Sequence, residues 1–135
     1  MSAADIERLA EAFEALERGE DEAALARIAP DFELRDHVIL EDTSDGTGPE
    51  VMEANIGRLR EAFDRVSYEI LETIDLDERI LVRVLASAHT DRDGGLDTEL
   101  EVGQLWTIRD GLARRLEIFP SWDEARRAVG LEPGP

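Results

Sequence analysis

From Val66 onward the apolar residues stop recurring at helical spacing and begin to alternate, and this change of period limits the possible folds more than any other feature of the chain. Alternation predicts strands at about 66–74, 79–90, 96–109 and 112–119, separated by Asp75-Leu-Asp-Glu78, Asp93-Gly-Gly95 and Asp110-Gly111. Connections this short make the four strands consecutive antiparallel hairpins. The chain before Val66 is helical in pattern. Ile6, Leu9, Ala10, Phe13 and Leu16 form one stripe, with Ser2 and Asp5 as a capping pair and Gly19 as the stop. A second helix is predicted over about Asp21 to Ala29, ended by Pro30, followed by a short strand at Phe32–Asp36. Gly48-Pro49 opens a third helix that buries Met52, Ile56, Leu59 and Phe63. Ser121-Trp-Asp-Glu124 reads as a capping box for a last helix with Trp122, Ala125 and Val129 inward. The class is α+β, one domain over 1–131 with a flexible tail at 132–135.

With 135 residues and 42% apolar content, the chain can bury a single core without staples. The absence of cysteine removes disulfides, thiolate nucleophiles and thiolate metal sites, and suits a reducing cytoplasm. Neither a signal peptide nor an apolar run of membrane-spanning length is read. A net charge of −18 repels phosphate backbones and anionic lipids, so neither nucleic acid nor membrane is expected as a partner.

The Asp110-Gly111 turn predicts a register in which Arg109 faces Leu112, Leu105 faces Leu116 and Gly103 faces Ile118. A two-residue turn in the preceding hairpin then puts Ile80, Val82, Val84, Ala86 and Ala88 on the face of Leu105 and Ile118. The other face would hold Leu81, Arg83 and His89 with Gln104, Trp106, Arg115, Glu117 and Phe119. That mixture of aromatic, Arg and polar residues suits a homodimer interface, for which Gln104, Trp106, Arg115, Glu117 and Phe119 are the candidates.

Asp36, at the end of the first strand, is the candidate general base. A strand-end acid bonded to a backbone amide is the plainer reading. His37 follows it, but neighbours on an extended chain point to opposite sides, so it is read as a loop histidine. His89 is placed on the outer side of the sheet. Two histidines and no cysteines argue against a transition-metal site, and Asp42, Asp45 and Glu50 lack the spacing of a calcium loop. No metal and no cofactor are expected. Phe13, Met52, Phe63, Tyr68, Leu105, Ile118 and Trp122 are the candidates to line a hydrophobic pocket.

Three stretches carry a resemblance: Glu17-Arg-Gly-Glu-Asp21, Ile28-Ala-Pro-Asp-Phe-Glu-Leu-Arg-Asp36, and Leu105-Trp-Thr-Ile-Arg-Asp-Gly111 with Arg115-Leu-Glu-Ile-Phe119. In these and in its element order, over nearly its whole length, the chain resembles SnoaL-like proteins of the nuclear-transport-factor-2-like superfamily, with the ketosteroid isomerases and limonene epoxide hydrolases. The resemblance implies a cone-shaped α+β barrel, its curved and mostly antiparallel sheet wrapped by three N-terminal helices and a short C-terminal one. It further implies a pocket for a small hydrophobic molecule and a dimer through the outer sheet face. Asp36 matches the proton-moving carboxylate of the isomerases. Their oxyanion tyrosine falls at Ala12, their second acid near Leu105, and the catalytic acid of the cyclases and epoxide hydrolases at Ile118. Without those groups a developing oxyanion lacks its donors. A shifted alignment would bring Glu117 or Glu101 into the pocket instead. Three functions stay open: a binding domain, an isomerase, cyclase or hydrolase using Asp36, and a dimeric interaction protein whose pocket is filled by its own side chains.

Overall fold

The computed structural model describes residues 3–38, 46–91 and 95–131. Ser2, Asp42, Asp45, the Asp93-Gly94 turn and the tail at 132–135 lie outside them. Ten elements follow in order: α1 (Ala3–Glu17), α2 (Asp21–Leu25), β1 (Ile28–Asp36), β2 (Gly46–Thr47), α3 (Pro49–Ala62), β3 (Arg65–Leu76), β4 (Arg79–Thr90), β5 (Leu96–Arg109), β6 (Leu112–Phe119) and α4 (Trp122–Ala128). The strands make one curved sheet in the order β2-β1-β6-β5-β4-β3, which does not close into a barrel. All neighbours are antiparallel except β1 and β6, which run parallel.

Three helix ends have a local cause. The φ of +78° at Gly19 turns the chain out of α1, and the amides of Gly19 and Glu20 close on the carbonyls of Leu16 and Ala15 at 3.1 and 2.8 Å. Gly48 and Pro49 open α3 as expected, and Ser121 Oγ caps α4 by accepting from the Glu124 amide at 3.1 Å. The second helix is shorter than its sequence pattern suggests. It stops at Leu25, and Ile28 and Ala29 belong to β1, where Ile28 pairs with Ala113 of β6. Tertiary pairing has overridden a local helical spacing there.

The register of the sheet departs from expectation at two places. The Asp110-Gly111 turn forms as predicted, with φ of +55° and +74° and with Arg109 opposite Leu112. Beyond Ile108–Ala113, however, the next pair is Thr107–Arg115, so Arg114 is a bulge and every later partner moves by one. Leu105 therefore faces Glu117, Trp106 faces Leu116, and Gln104 faces Ile118. In the preceding hairpin Thr90 pairs with Leu96, leaving five residues between them rather than two. This odd connection puts Ile80 beside Trp106 and Val82 beside Gln104. Because a slip of one residue reverses the faces of a strand, Gln104 and Trp106 join the inner face and Leu105 leaves it.

The two faces bury different clusters. On the inner face Leu9 and Phe13 of α1 and Met52 of α3 pack against Phe32, Leu34, Ile80, Val82, Val84, Trp106 and Leu116. On the outer face α4 lays Trp122 and Ala125 on Leu81, Leu105 and Phe119. Gly103 lets α4 come this close, since a Cβ at that position would stand 2.4 Å from Cβ of Ala125.

Candidate functional site

Between α1, α3 and the inner sheet face lies a cavity of about 380 Å³, walled mainly by Leu, Ile, Val and aromatic side chains. Phe13, Met52, Tyr68, Ile118 and Asp36, all read from the sequence as site residues, line it. Three other pocket candidates do not. Phe63 borders an adjoining hollow of about 680 Å³, while Leu105 and Trp122 pack together on the outer face. In their place Gln104, Trp106, Val102 and Leu100 enter the lining. Of the five residues expected at a dimer face, Gln104 and Trp106 are thus corrected to the cavity. Arg115, Glu117 and Phe119 keep the outer parity. There Arg115 pairs with Glu33 and Glu117, and Phe119 stacks on His37 with ring centroids 4.9 Å apart.

A signal for this arrangement was present in the chain. Ala113, Leu116 and Ile118, which face the inner cluster, recur at spacings of three and then two, which marks an extra residue in β6. In β5 the even positions carry Leu96, Leu100, Val102, Trp106 and Ile108, whereas the odd ones carry Asp97, Glu99, Glu101 and Gly103, with Leu105 the single apolar exception. The turn alone suggested the opposite parity.

Few polar groups reach the cavity. Asp36 sits half-buried at the end of β1, its Oδ1 accepting from the Val38 amide at 2.9 Å. Adjacent His37 turns away and meets Glu117 at 3.1 Å. Register places Asp36 beside Ile118, and Ile118 beside Gln104, so a carboxyl and an amide stand in one row across the inner face. Gln104 is 7% exposed and accepts from the Trp106 indole Nε1–H at 2.9 Å. Trp106 itself meets Phe13 edge-to-face at 6.5 Å. Tyr68, 5.5 Å from Phe13, has its phenol pushed above the usual tyrosine range by burial; Arg60 opposes the shift and Glu17 adds to it. Its hydroxyl therefore remains a donor at neutral pH.

The wider hollow shares Leu16, Ile56, Leu59 and Tyr68 with the cavity, but its far wall is charged, with Glu17, Asp64, Arg65, His89, Asp97 and Glu99. Among the described residues no group of three or more His, Asp or Glu side chains is arranged to hold a metal ion.

An open sheet with helices over its inner face, enclosing an apolar cavity with a short row of polar groups, defines a cone-type α+β fold. Residues 9–116 match the family model of the SnoaL-like domain, and the chain belongs to that family. Solved structures of the same fold include TerC, crystallised with polyporic acid, at a TM-score of 0.75 and 19% identity, covering 88% of this chain and 92% of that one. A nuclear-transport-factor-2-like protein of unknown function from Burkholderia pseudomallei superposes at a TM-score of 0.72 with 22% identity, over 96% and 99% of the two chains. A protein from Catenulispora acidiphila with a ketosteroid isomerase-like fold, in complex with trimethylamine, reaches 0.72 at 15% identity, over 97% and 95%. No curated protein matches the chain. No described helix is long and apolar enough to cross a membrane.

Proposed function

We propose that this SnoaL-like domain binds a small, largely apolar molecule in its inner cavity. The observation that carries the reading is the cavity itself, about 380 Å³ of mostly hydrophobic wall with a few convergent polar groups, which is the composition of small-molecule sites. That TerC, similar in fold, was crystallised with polyporic acid supports it. A neutral fluorescent probe, N-phenyl-1-naphthylamine, tests it. The wild type should bind the probe with micromolar affinity, and Ala12→Phe, which fills the cavity from α1, should lose binding. No binding by the wild type, or equal binding by the filled variant, overturns the reading.

A second reading, an isomerase, cyclase or hydrolase, is favoured by one observation: Asp36 and Gln104 flank Ile118, so a base and a hydrogen-bond donor border the same floor. Under it, Asp36→Asn abolishes turnover and barely changes affinity. Two further features belong to the proposal: a homodimer through the outer sheet face at Arg115 and Glu117, beside the Phe119 that α4 covers, which sedimentation velocity reads directly, and a cytoplasmic setting, which the lack of cysteine suits.

A further inference from the structure

We propose that His89 works as a proton-operated clasp: as an imidazolium it ties the chain just past β4 to the corner between α3 and β3, and loss of one ring proton releases Asp91.

An imidazole with a carboxylate on each nitrogen has a single charge state that satisfies both. Asp97 Oδ1 stands 2.5 Å from Nδ1, and Asp91 Oδ1 stands 2.8 Å from Nε2. An ionised carboxylate only accepts hydrogen bonds, so both ring nitrogens must donate, which the neutral ring cannot do. Once the ring is neutral, one nitrogen turns a bare lone pair toward a carboxylate.

The two sides of the ring differ in their freedom to respond. Asp97 is a rung of the sheet, opposite His89 itself, and the ladder keeps it in place. Asp91 lies past the rung formed by Thr90 and Leu96, and its side chain is 77% exposed. Two bonds hold it: the one to Nε2, and that of its own amide to Asp64 Oδ2 at 2.5 Å. The Asp64 amide in turn donates to the His89 carbonyl at 2.8 Å. A closed circuit results, from the His89 ring to Asp91, from Asp91 to Asp64, and from Asp64 back to the His89 backbone. Near neutral pH the first of these links is the one that titrates.

The hydrogen bonds to Asp97 and then Asp91 favour the charged ring, while Arg65, opposite His89 on β3, disfavours it. Glu99 of β5, Glu17 of α1 and Arg60 of α3 line the same hollow. The carboxylates prevail and raise the histidine above its ordinary value, so the clasp is shut at neutral pH and opens on the alkaline side. Because His89 lines the hollow, the same proton takes a positive charge from that wall as it leaves.

Exchange of the Asp91 amide with water, followed by NMR from about pH 6 to about pH 9, tests the clasp. The Asp64 amide, bonded to backbone in the same corner, is the reference for hydroxide catalysis. Relative to it, Asp91 exchange should rise about twofold to fivefold, the scale of one exposed ion pair, at the midpoint of the His89 ring signals. His89→Gln should hold the ratio at its alkaline value throughout. Asp97→Asn should carry the step and the ring midpoint together to lower pH. A ratio that is flat with pH in the wild type, a step that survives in His89→Gln, or a step in Asp97→Asn that does not follow the ring midpoint overturns the proposal.

Discussion

Gly103 and Ala125 meet with no room for another carbon: a Cβ on Gly103 would lie 2.4 Å from Cβ of Ala125 and 3.3 Å from the Ser121 carbonyl oxygen. Helix α4 can rest on the outer sheet face only while that side chain is missing. Gly103→Ala should therefore cost about 1–3 kcal/mol, the usual penalty for overpacking. Gly57→Ala is the contrast, since nothing stands within 4 Å of its would-be Cβ inside α3, and it should stabilise by about 0.5–1 kcal/mol. Urea unfolding of the two variants reads both signs.

Trp122 anchors the same helix in the cluster of Leu81, Leu105 and Phe119, and Arg126 lies over its ring at 6.0 Å. Trp122→Ala should destabilise by about 3–5 kcal/mol. Since Trp122 is remote in face from the cavity, affinity for the naphthylamine probe should be unchanged under conditions where the variant is still folded. A parallel loss of affinity would show that the outer cluster shapes the cavity.

Tyr68 is the chain's single tyrosine, so tyrosinate absorbance reports on this one phenol. Burial holds its titration above the ordinary value of 10.0, and a ligand that covers the ring should raise the midpoint further. A midpoint at or below the ordinary value would place the hydroxyl in water, outside the cavity wall.

His89 bonds Asp97 through Nδ1 at 2.5 Å and Asp91 through Nε2 at 2.8 Å, and these bonds, Asp97 first, raise its pKa above 6.5. Arg65, on the neighbouring strand, pulls the other way. Because the folded value is the higher one, the stabilisation is complete below about 6.5 and is lost as pH rises through the folded value. His89→Asn should thus lower the melting temperature most at about pH 6 and least at about pH 9. An equal deficit across that range would mean that the imidazole acts through packing rather than charge.

Sequence reading recovered most of the elements because their signals are local. Gly19, Gly48-Pro49, Asp110-Gly111 and Ser121 each act within a turn or two, and each does what its residue type dictates. The cavity was legible through Phe13, Met52, Tyr68, Ile118 and Asp36. What was misread depends on counting residues across strands. The bulge at Arg114 and the five-residue span after Thr90 reverse the assignment of Gln104, Trp106 and Leu105, although no turn motif records either. The start of β1 was missed for a related reason: Ile28 and Ala29 fit a helical stripe equally well until β6 arrives to pair with them.

The bulge at Arg114 also makes this hairpin respond to a change of length differently from one position to the next. Exchanging one apolar residue for another along β5 alters the cavity by a few atoms. Loss of the Arg114 codon would instead set Ala113 and Arg115 in succession opposite Ile108 and Thr107, so the bulge heals while Trp106 and Gln104 still face the cavity. The same loss anywhere further along β5 or β6, where no extra residue absorbs it, would exchange inward and outward faces beyond that point.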